Sequence, residues 1–178
     1  MADILIRKPV MKDIPPLLEI INGYASQGTM LPRTEFEMSE NIRDFIIVTR
    51  DEKILGCAAL HFYGPTVAEL RSLAVDRSQQ SLGLGKLLVE AVDREAREYD
   101  LAVVFAFTYV PQFFRKLGYE VVDRGELPLK AWKDCLRCPK FQSCDETAMR
   151  KVLRPAVTLE VRPNRQESLV ALPVPILR

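Results

Sequence analysis

Apolar and polar positions along this chain repeat with two periods, one typical of strands and one typical of helices. Asp3–Arg7 has the pattern of a short strand, and Asp13 followed by two prolines is typical of a helix start. Thr34 and Glu37 have the spacing of a capping box, which predicts a second short helix toward Asp44. The first helix is also indicated by apolar residues at helical spacing: Ile14, Leu17, Leu18 and Ile21.

Apolar runs in the middle of the chain predict further strands, and an amphipathic stretch predicts a longer helix. Phe45–Thr49 and Ile54–Phe62 are joined by a charged turn, which is typical of an antiparallel hairpin. Ala68–Val75 is the next strand, and Leu101–Phe107 is apolar enough to be a strand buried on both faces. Between these two strands, apolar residues mark one face of a helix: Leu84, Leu87, Leu88, Ala91 and Val92.

A short helix and a last strand complete the predicted order. Pro111–Leu117 is the helix, which Gly118 can close, and Tyr119–Val122 is the strand. This alternation of strands and helices predicts an α/β domain, which we expect at residues 1–153. Residues 154–178 are expected to form an extension in which Val157–Val161 pairs as an edge strand or covers a neighbouring subunit. Its prolines prevent a continuous helix: Pro155, Pro163, Pro173 and Pro175.

Composition narrows the classes of function. A chain of 178 residues with 48% apolar content can bury one ample core. Its 25 basic and 24 acidic residues leave a net charge of +1, which argues against nucleic-acid or membrane partners. The sequence lacks a cationic leader and a membrane-length apolar run, so we expect a cytoplasmic protein with reduced cysteines. The sequence leaves the oligomeric state open between a monomer and a homodimer.

The junction between the strand ending at Val75 and the following helix carries the strongest chemical signal. Gly83 and Gly85 let the backbone approach a ligand, and the start of a helix directs free amides at an anion. The spacing does not match a Walker loop, because Leu87 follows Lys86, and it does not match a dinucleotide fingerprint. The sequence therefore predicts a phosphate site of another kind.

The pattern Gln-x-x-Gly-x-Gly directly after a "LAV" strand resembles the acyl-CoA loop of the GNAT superfamily of N-acetyltransferases, whose element order this chain also shares. The segments "AELRSLAV", "QSLGLGKLLVEAV" and "LPLKAWKDCLRCPKFQSCDETAM" resemble the short, stand-alone N-acetylglutamate synthases of bacterial arginine biosynthesis. The last of these segments, residues 127–149, is a cysteine-containing block. The resemblance implies a mixed, mainly antiparallel sheet flanked by helices and splayed to admit acetyl-CoA. It also implies a ternary complex of acetyl-CoA and L-glutamate, with direct attack of the amine and no required metal.

Residue roles follow from the same resemblance. The catalytic base is expected to be Glu69, because a protonated α-amine must lose a proton before attack. Strand alternation predicts that Val67, Glu69, Arg71, Leu73 and Val75 share one face. An ordinary ion pair between Glu69 and Arg71 is the structural alternative. The expected coenzyme contacts are Leu73, Ala74, Val75, Gln80, Ser81, Leu82, Gly83, Leu84, Gly85, Lys86, Phe113 and Phe114.

A dicarboxylate acceptor needs cationic groups, and guanidinium forks bind carboxylates in two places. We expect Arg33 and Arg71 to serve, with Arg115 as a third, weaker candidate whose alternative is a solvated surface charge. The superfamily often uses a tyrosine to protonate the thiolate, but Phe114 stands at that position. Thr108, Tyr109 or water must then replace it, unless the thiolate leaves unaided.

The cysteines leave several interpretations open. Cys135, Cys138 and Cys144 form a C-x₂-C-x₅-C pattern, which falls short of the four ligands of a usual zinc site. A bound metal, a reduced structural cluster and a redox-sensitive pair are the alternatives. His61 is expected to be a strand residue and not a catalyst. Two other functions also remain: the same fold acting on aspartate, glutamine, a polyamine or a protein N-terminus, and a CoA-binding regulatory module without catalysis.

Overall fold

A computed structural model describes residues 3–128, 135, 136 and 138–154. Its strands are β1 Ile4–Arg7, β2 Phe45–Arg50, β3 Lys53–Phe62, β4 Val67–Val75, β5 Val103–Thr108, β6 Glu120–Val121 and β7 Thr147–Val152. Its helices are α1 Ile14–Ala25, α2 Glu35–Asn41, α3 Leu84–Glu98 and α4 Pro111–Arg115. Within this part of the chain, the strands form one sheet in the order β1-β2-β3-β4-β5-β7-β6, and only the β4–β5 pair is parallel. The predicted mixed, mainly antiparallel α/β fold is confirmed.

Helices cover both faces of the sheet. Leu88 and Val92 of α3 pack with Leu60 and Val104 in one core on the first face. On the opposite face, Leu17 of α1 packs with Ile47 and Ala59 of the sheet in a second core. The capping box that opens α2 is confirmed, because the Glu37 amide donates to Thr34 Oγ1 (3.2 Å) and the Thr34 amide donates to Glu37 Oε2 (2.9 Å).

The parallel strands β4 and β5 diverge partway along their length. Pairing runs from Val67 with Val103 to Glu69 with Phe105 and stops there. Beyond that point β4 continues to Val75 and β5 to Thr108 without pairing to each other. The predicted splay is confirmed, and Glu69 lies where the two strands separate.

A β-bulge overturns the predicted alternation of β4. The register shifts from Ala59–Arg71 to Cys57–Ala74, and Ser72 has a φ of +53°. An extra residue in one strand reverses the faces of the residues beyond it. Leu73 and Val75 therefore pack against the α3 core, whereas Ala74 lies in the α1 core. The prediction that Leu73 and Val75 share a face with Glu69 and Arg71 is wrong.

The strand β7 was not anticipated. It inserts between β5 and β6, pairing Val103 with Val152 on one side and Glu120 with Arg150 on the other. The chain therefore leaves the sheet after β6, passes through the cysteine-containing block and returns to its interior. The predicted edge strand Val157–Val161 lies outside the described residues, and the division into residues 1–153 and 154–178 stays a prediction.

Candidate active site

A cavity of about 680 Å³ opens where β4 and β5 diverge. Three parts of the chain supply most of its wall. The first is the loop after α1, the second is the pair of diverging strand ends, and the third is the cysteine-containing block. The polar and charged residues in the wall include Tyr24, Arg33, Glu69, Arg71, Thr108, Tyr109, Arg124, Lys140 and Glu146. The expected base and two of the three expected arginines therefore share one cavity.

Glu69 is a buried carboxylate at the apex of the fork, the gap that opens between β4 and β5 beyond the Glu69–Phe105 pair, with 9% of its surface exposed. The hydroxyl of Tyr63 donates a hydrogen bond to its Oε2 atom at 3.0 Å. Tyr63 itself packs edge-on against His61, the residue paired with Glu69 across β3 and β4. A carboxylate held in this way has a fixed orientation, as a positioned base requires.

The Arg71 side chain is 8% exposed and contacts polar groups of three other residues. Its Nη2 atom lies 3.0 Å from Nδ1 of His61, 3.4 Å from Oδ1 of Asn41 and 3.7 Å from Oδ2 of Asp44. His61 Nδ1 is also 2.6 Å from that Asp44 oxygen. His61 thus lies on its strand as expected, and it belongs to the network that supports Arg71. The structural alternative, an ion pair between Arg71 and Glu69, is not among the ion pairs that join residues of the described part of the chain.

Arg33 reaches the cavity from the loop between α1 and α2. Its amide donates to Oδ1 of Asn22 at 2.9 Å, and Nδ2 of Asn22 donates to its carbonyl at 3.0 Å. These two bonds fix the backbone while the half-buried side chain lines the cavity. Arg115, by contrast, is exposed at the end of α4 and does not line the cavity wall.

Thr108 and Tyr109 end β5 on the opposite side of the fork. Thr108 is 6% exposed, and its Oγ1 accepts a hydrogen bond from the amide of Val110 at 3.0 Å. The Tyr109 hydroxyl donates to Oδ1 of Asp145 at 2.9 Å and accepts from Nζ of Lys140 at 3.1 Å. Burial raises the pKa of Tyr109, although Lys140 opposes the shift. Both side chains line the cavity and can carry a proton.

The glycine loop has the geometry of an anion site. Gly83 caps α3 with a φ of +79°, and the first helical hydrogen bond runs from the amide of Leu87 to the Gly83 carbonyl at 3.1 Å. The amides of Leu84, Gly85 and Lys86 precede that bond, so they stay available to a ligand. A β-carbon at Gly85 would lie 3.4 Å from the Phe113 ring, at ordinary van der Waals distance, so the loop lies close against that ring.

Tyr24 links this loop to the cavity and was not anticipated. Its hydroxyl donates to the Val75 carbonyl at 2.6 Å and accepts from Nε2 of Gln80, also at 2.6 Å. The loop itself does not line the cavity wall, whereas Tyr24 does. The tyrosine therefore joins the end of α1, the end of β4 and the start of the loop.

The other expected coenzyme contacts differ in burial and in whether they line the cavity. Ala74 and Leu84 have buried side chains, so only their backbone groups could meet a ligand. Lys86 is exposed and lies 3.7 Å from Glu90. Leu73 and Phe114 line the cavity, and Phe114 is also part of the α3 core. The remaining loop residues Ser81 and Leu82 are exposed.

The third part of the cavity wall is the cysteine-containing block before β7. The sequence did not predict that this block belongs to the site. Cys135, Cys138 and Cys144 all line the cavity, together with Glu146. Burial raises the pKa of Glu146, and the nearby Arg124 guanidinium opposes that shift. Arg124 itself donates to the Glu146 carbonyl and lies over the Phe107 ring, 5.8 Å from its centroid.

The described residues contain neither a candidate metal site nor a helix that could span a membrane. No group of three or more His, Cys, Asp or Glu side chains there could hold a metal ion. The four cysteines are free thiols. No helix in residues 3–128, 135, 136 and 138–154 is long and apolar enough to cross a membrane.

Known proteins resemble this chain in sequence and in architecture. An uncharacterized N-acetyltransferase of Chlorobaculum tepidum is 38% identical over 85% of this chain and 98% of its own length. The amino-acid acetyltransferase of Pasteurella multocida is 30% identical over 70% of this chain, which spans only 29% of that protein. The N-acetylglutamate synthase of Neisseria gonorrhoeae, solved with coenzyme A and N-acetyl-glutamate, matches 87% of this chain with a TM-score of 0.78. Its sequence identity is 26%, and the match covers 36% of that protein.

The acetyltransferase (GNAT) family model matches residues 15–119, a span that contains α1, the fork, the glycine loop and α4. That match covers more than half of the chain. The chain belongs to the GNAT family of acetyltransferases and is related to the amino-acid acetyltransferases.

Proposed function

We propose that the protein transfers the acetyl group of acetyl-CoA to the α-amine of L-glutamate. The single observation that carries the proposal is the fork between β4 and β5, where a buried carboxylate and two arginines line one cavity. Relatives that are amino-acid acetyltransferases, and a structural neighbour solved with coenzyme A and N-acetyl-glutamate, support the choice of acceptor.

The coenzyme is proposed to lie along the fork, with its pyrophosphate on the amides of Leu84–Lys86. Anions bind at helix N-termini because the amides there are unpaired and the helix dipole is positive. The thioester would then lie between the separated strands, beside Leu73 and Phe107 of the cavity wall. No metal is assigned to this step, since polarisation by backbone groups and removal of one proton suffice for direct aminolysis.

Glu69 is proposed to accept the proton that the α-ammonium of the acceptor must lose. The neutral amine attacks the thioester carbonyl, the carbon–sulfur bond breaks, and the thiolate of coenzyme A leaves. The new amide nitrogen releases its second proton to solvent, from which the hydroxyl that protonates the thiolate regains its own proton. Thr108 or Tyr109 would supply the proton to that thiolate, because both line the opposite side of the fork. Tyr63 would keep the carboxylate of Glu69 directed at the amine through its hydrogen bond.

Arg33 and Arg71 are proposed to bind the two carboxylates of the acceptor. They reach the cavity from different segments, one from the α1–α2 loop and one from β4, so they can grip two separate groups. Arg71 is fixed by Asn41 and His61, which reduces the conformational entropy lost on binding. Arg115 is left out of the clamp because it lies outside the cavity wall.

An acceptor panel tests the proposal. Purified protein is mixed with acetyl-CoA and, separately, with glutamate, aspartate, glutamine, a protein N-terminal peptide and a polyamine, and release of coenzyme A is followed. The proposal predicts the highest kcat/KM with glutamate. Preference for another amine would reassign the acceptor, and coenzyme A binding without turnover would indicate a regulatory module.

One observation favours a second candidate acceptor. Glu146 is a half-buried carboxylate in the cavity wall, and a wall carboxylate attracts a cation and repels an anion. A polyamine or another cationic amine could form an ion pair with Glu146, whereas the carboxylates of glutamate could not. The ratio of polyamine to glutamate kcat/KM in the same panel separates the two candidates.

A further inference from the structure

The three cysteines of the cavity wall take no part in the proposed reaction, yet they are placed together. The amide of Cys138 donates to the carbonyl of Cys135 at 2.9 Å, which closes a four-residue turn. Further turns from Cys138 to Phe141 (3.0 Å) and from Lys140 to Ser143 (3.0 Å) bring the chain to Cys144. All three thiols therefore come from one compact stretch and line the same cavity as Glu69.

The turn sets the spacing of the first two cysteines. Ends of a four-residue turn have Cα atoms less than about 7 Å apart. A disulfide needs Cα atoms roughly 4.4–6.8 Å apart. A bond between Cys135 and Cys138 thus requires little movement of the backbone.

We propose that Cys135 and Cys138 form a reversible thiol–disulfide site in the cavity wall, oxidised by a small peroxide and restored by a dithiol. Both residues are partly exposed through the cavity, so a small oxidant can reach them. Burial raises the pKa of the Cys135 thiol, and neighbouring Cys144 and Glu69 raise it further. Cys135 is accordingly assigned the later, resolving step, and Cys138 the first attack on the peroxide.

The chemistry balances with hydrogen peroxide as the oxidant. Sulfur of Cys138 attacks one peroxide oxygen, the oxygen–oxygen bond breaks, and a sulfenic acid and one water form. Sulfur of Cys135 then displaces the sulfenic hydroxyl, giving the disulfide and a second water. Two electrons pass from the two sulfurs to the peroxide, and the two thiol hydrogens end in water.

Cys57 provides a matched control within the same chain. It is a free thiol with no exposed surface, and burial raises its pKa to about 12. A buried, protonated thiol reacts slowly with oxidants and alkylating agents. The structure therefore predicts a sharp difference in reactivity between the cavity thiols and Cys57.

The test treats the full chain with hydrogen peroxide and follows intact mass and peptide maps. The expected result is a loss of about 2 Da, the two thiol hydrogens, mapped to Cys135 and Cys138 and reversed by dithiothreitol. Cys135→Ser and Cys138→Ser should abolish this product, whereas Cys57→Ala should retain it. An unchanged mass, or a disulfide mapped to Cys57 or between chains, would overturn the proposal.

Two further measurements keep the result interpretable. Iodoacetamide labelling of the untreated, folded protein should modify Cys135 and Cys138 before Cys57. The reverse order of labelling would contradict the proposal, and this measurement does not depend on the folding of a serine variant. Oxidation should also change the KM of the preferred acceptor more than that of acetyl-CoA. If no acceptor is turned over at all, the proposed function fails, but the mapped disulfide still decides this inference.

Discussion

The two sides of the fork are built in different ways. The proposed coenzyme side consists of one continuous segment, Gln80–Lys86, which offers backbone amides at the start of α3. The acceptor side is assembled from side chains that approach from the α1–α2 loop, β4, β5 and the block before β7. Backbone groups suit a phosphate that many enzymes share, whereas converging side chains can distinguish one amine from another.

The largest expected effect concerns the carboxylate at the point where the two sides meet. Replacing Glu69 by Gln keeps the size of the side chain and removes the proton acceptor. A positioned base contributes about 10²–10⁴ in rate, so kcat should fall by that factor. Steady-state kinetics give kcat, and calorimetry should show unchanged affinity for acetyl-CoA. Unchanged turnover would remove Glu69 from the mechanism.

Removing a cation should affect the acceptor side alone. Charge-assisted hydrogen bonds contribute about 1.5–3 kcal/mol, so Arg33→Ala should raise the KM of glutamate roughly 10–100-fold. The KM of acetyl-CoA should change little. Arg115→Ala is the matched control, because this arginine is exposed and does not line the cavity. Equal effects of the two variants on glutamate KM would contradict the proposed clamp.

Tyr63→Phe tests whether the orientation of Glu69 matters. The variant removes the hydroxyl that donates to Glu69 at 3.0 Å and keeps the ring that packs on His61. A lost hydrogen bond to a charged group should lower kcat by about tenfold with a smaller effect on KM. Tyr99→Phe serves as the control, since Tyr99 is 58% exposed and packs on Phe62. A kcat equal to wild type in Tyr63→Phe would show that the bond is only structural.

A pair of glycine substitutions gives the smallest expected effects, and it probes the coenzyme side. Gly83 has a φ of +79°, so Gly83→Ala should cost about 1–2 kcal/mol of stability and raise the KM of acetyl-CoA a few-fold. Gly23 lies within α1 with open space around it, so Gly23→Ala should raise stability by about 0.5–1 kcal/mol. Thermal unfolding and acetyl-CoA titration measure both variants. If Gly83→Ala weakened the binding of glutamate and not that of acetyl-CoA, the proposed separation of a coenzyme side from an acceptor side would be wrong.

The sequence predicted the glycine loop at the start of α3 better than the cavity wall, and the reason is physical. Glycine pairs, capping boxes and helical periodicity act over a few residues, so the loop and the helix starts at Thr34 and Gly83 were recognisable. The bulge at Ser72 carries no glycine, so nothing in the pattern signalled that the alternation of β4 would reverse.

Tertiary contacts account for the residues that were missed. Tyr63 meets Glu69 across neighbouring strands, and Tyr24 meets Val75 and Gln80 from the end of α1. No local pattern encodes such pairs. The sequence of β7 has no clear alternation, and its place between β5 and β6 depends on pairing with strands far away in the chain.

The insertion of β7 between β5 and β6 also means that the sheet is completed only when the last described strand has been synthesised. The segments up to Val121 contain the fork and the glycine loop, but until Thr147–Val152 is in place the whole length of β5 is an unprotected strand edge. Such edges recruit other chains, and contacts between distant segments form slowly. A nascent or truncated polypeptide that lacks β7 would therefore contain the glycine loop, but its cavity wall would be incomplete, and we expect it to aggregate.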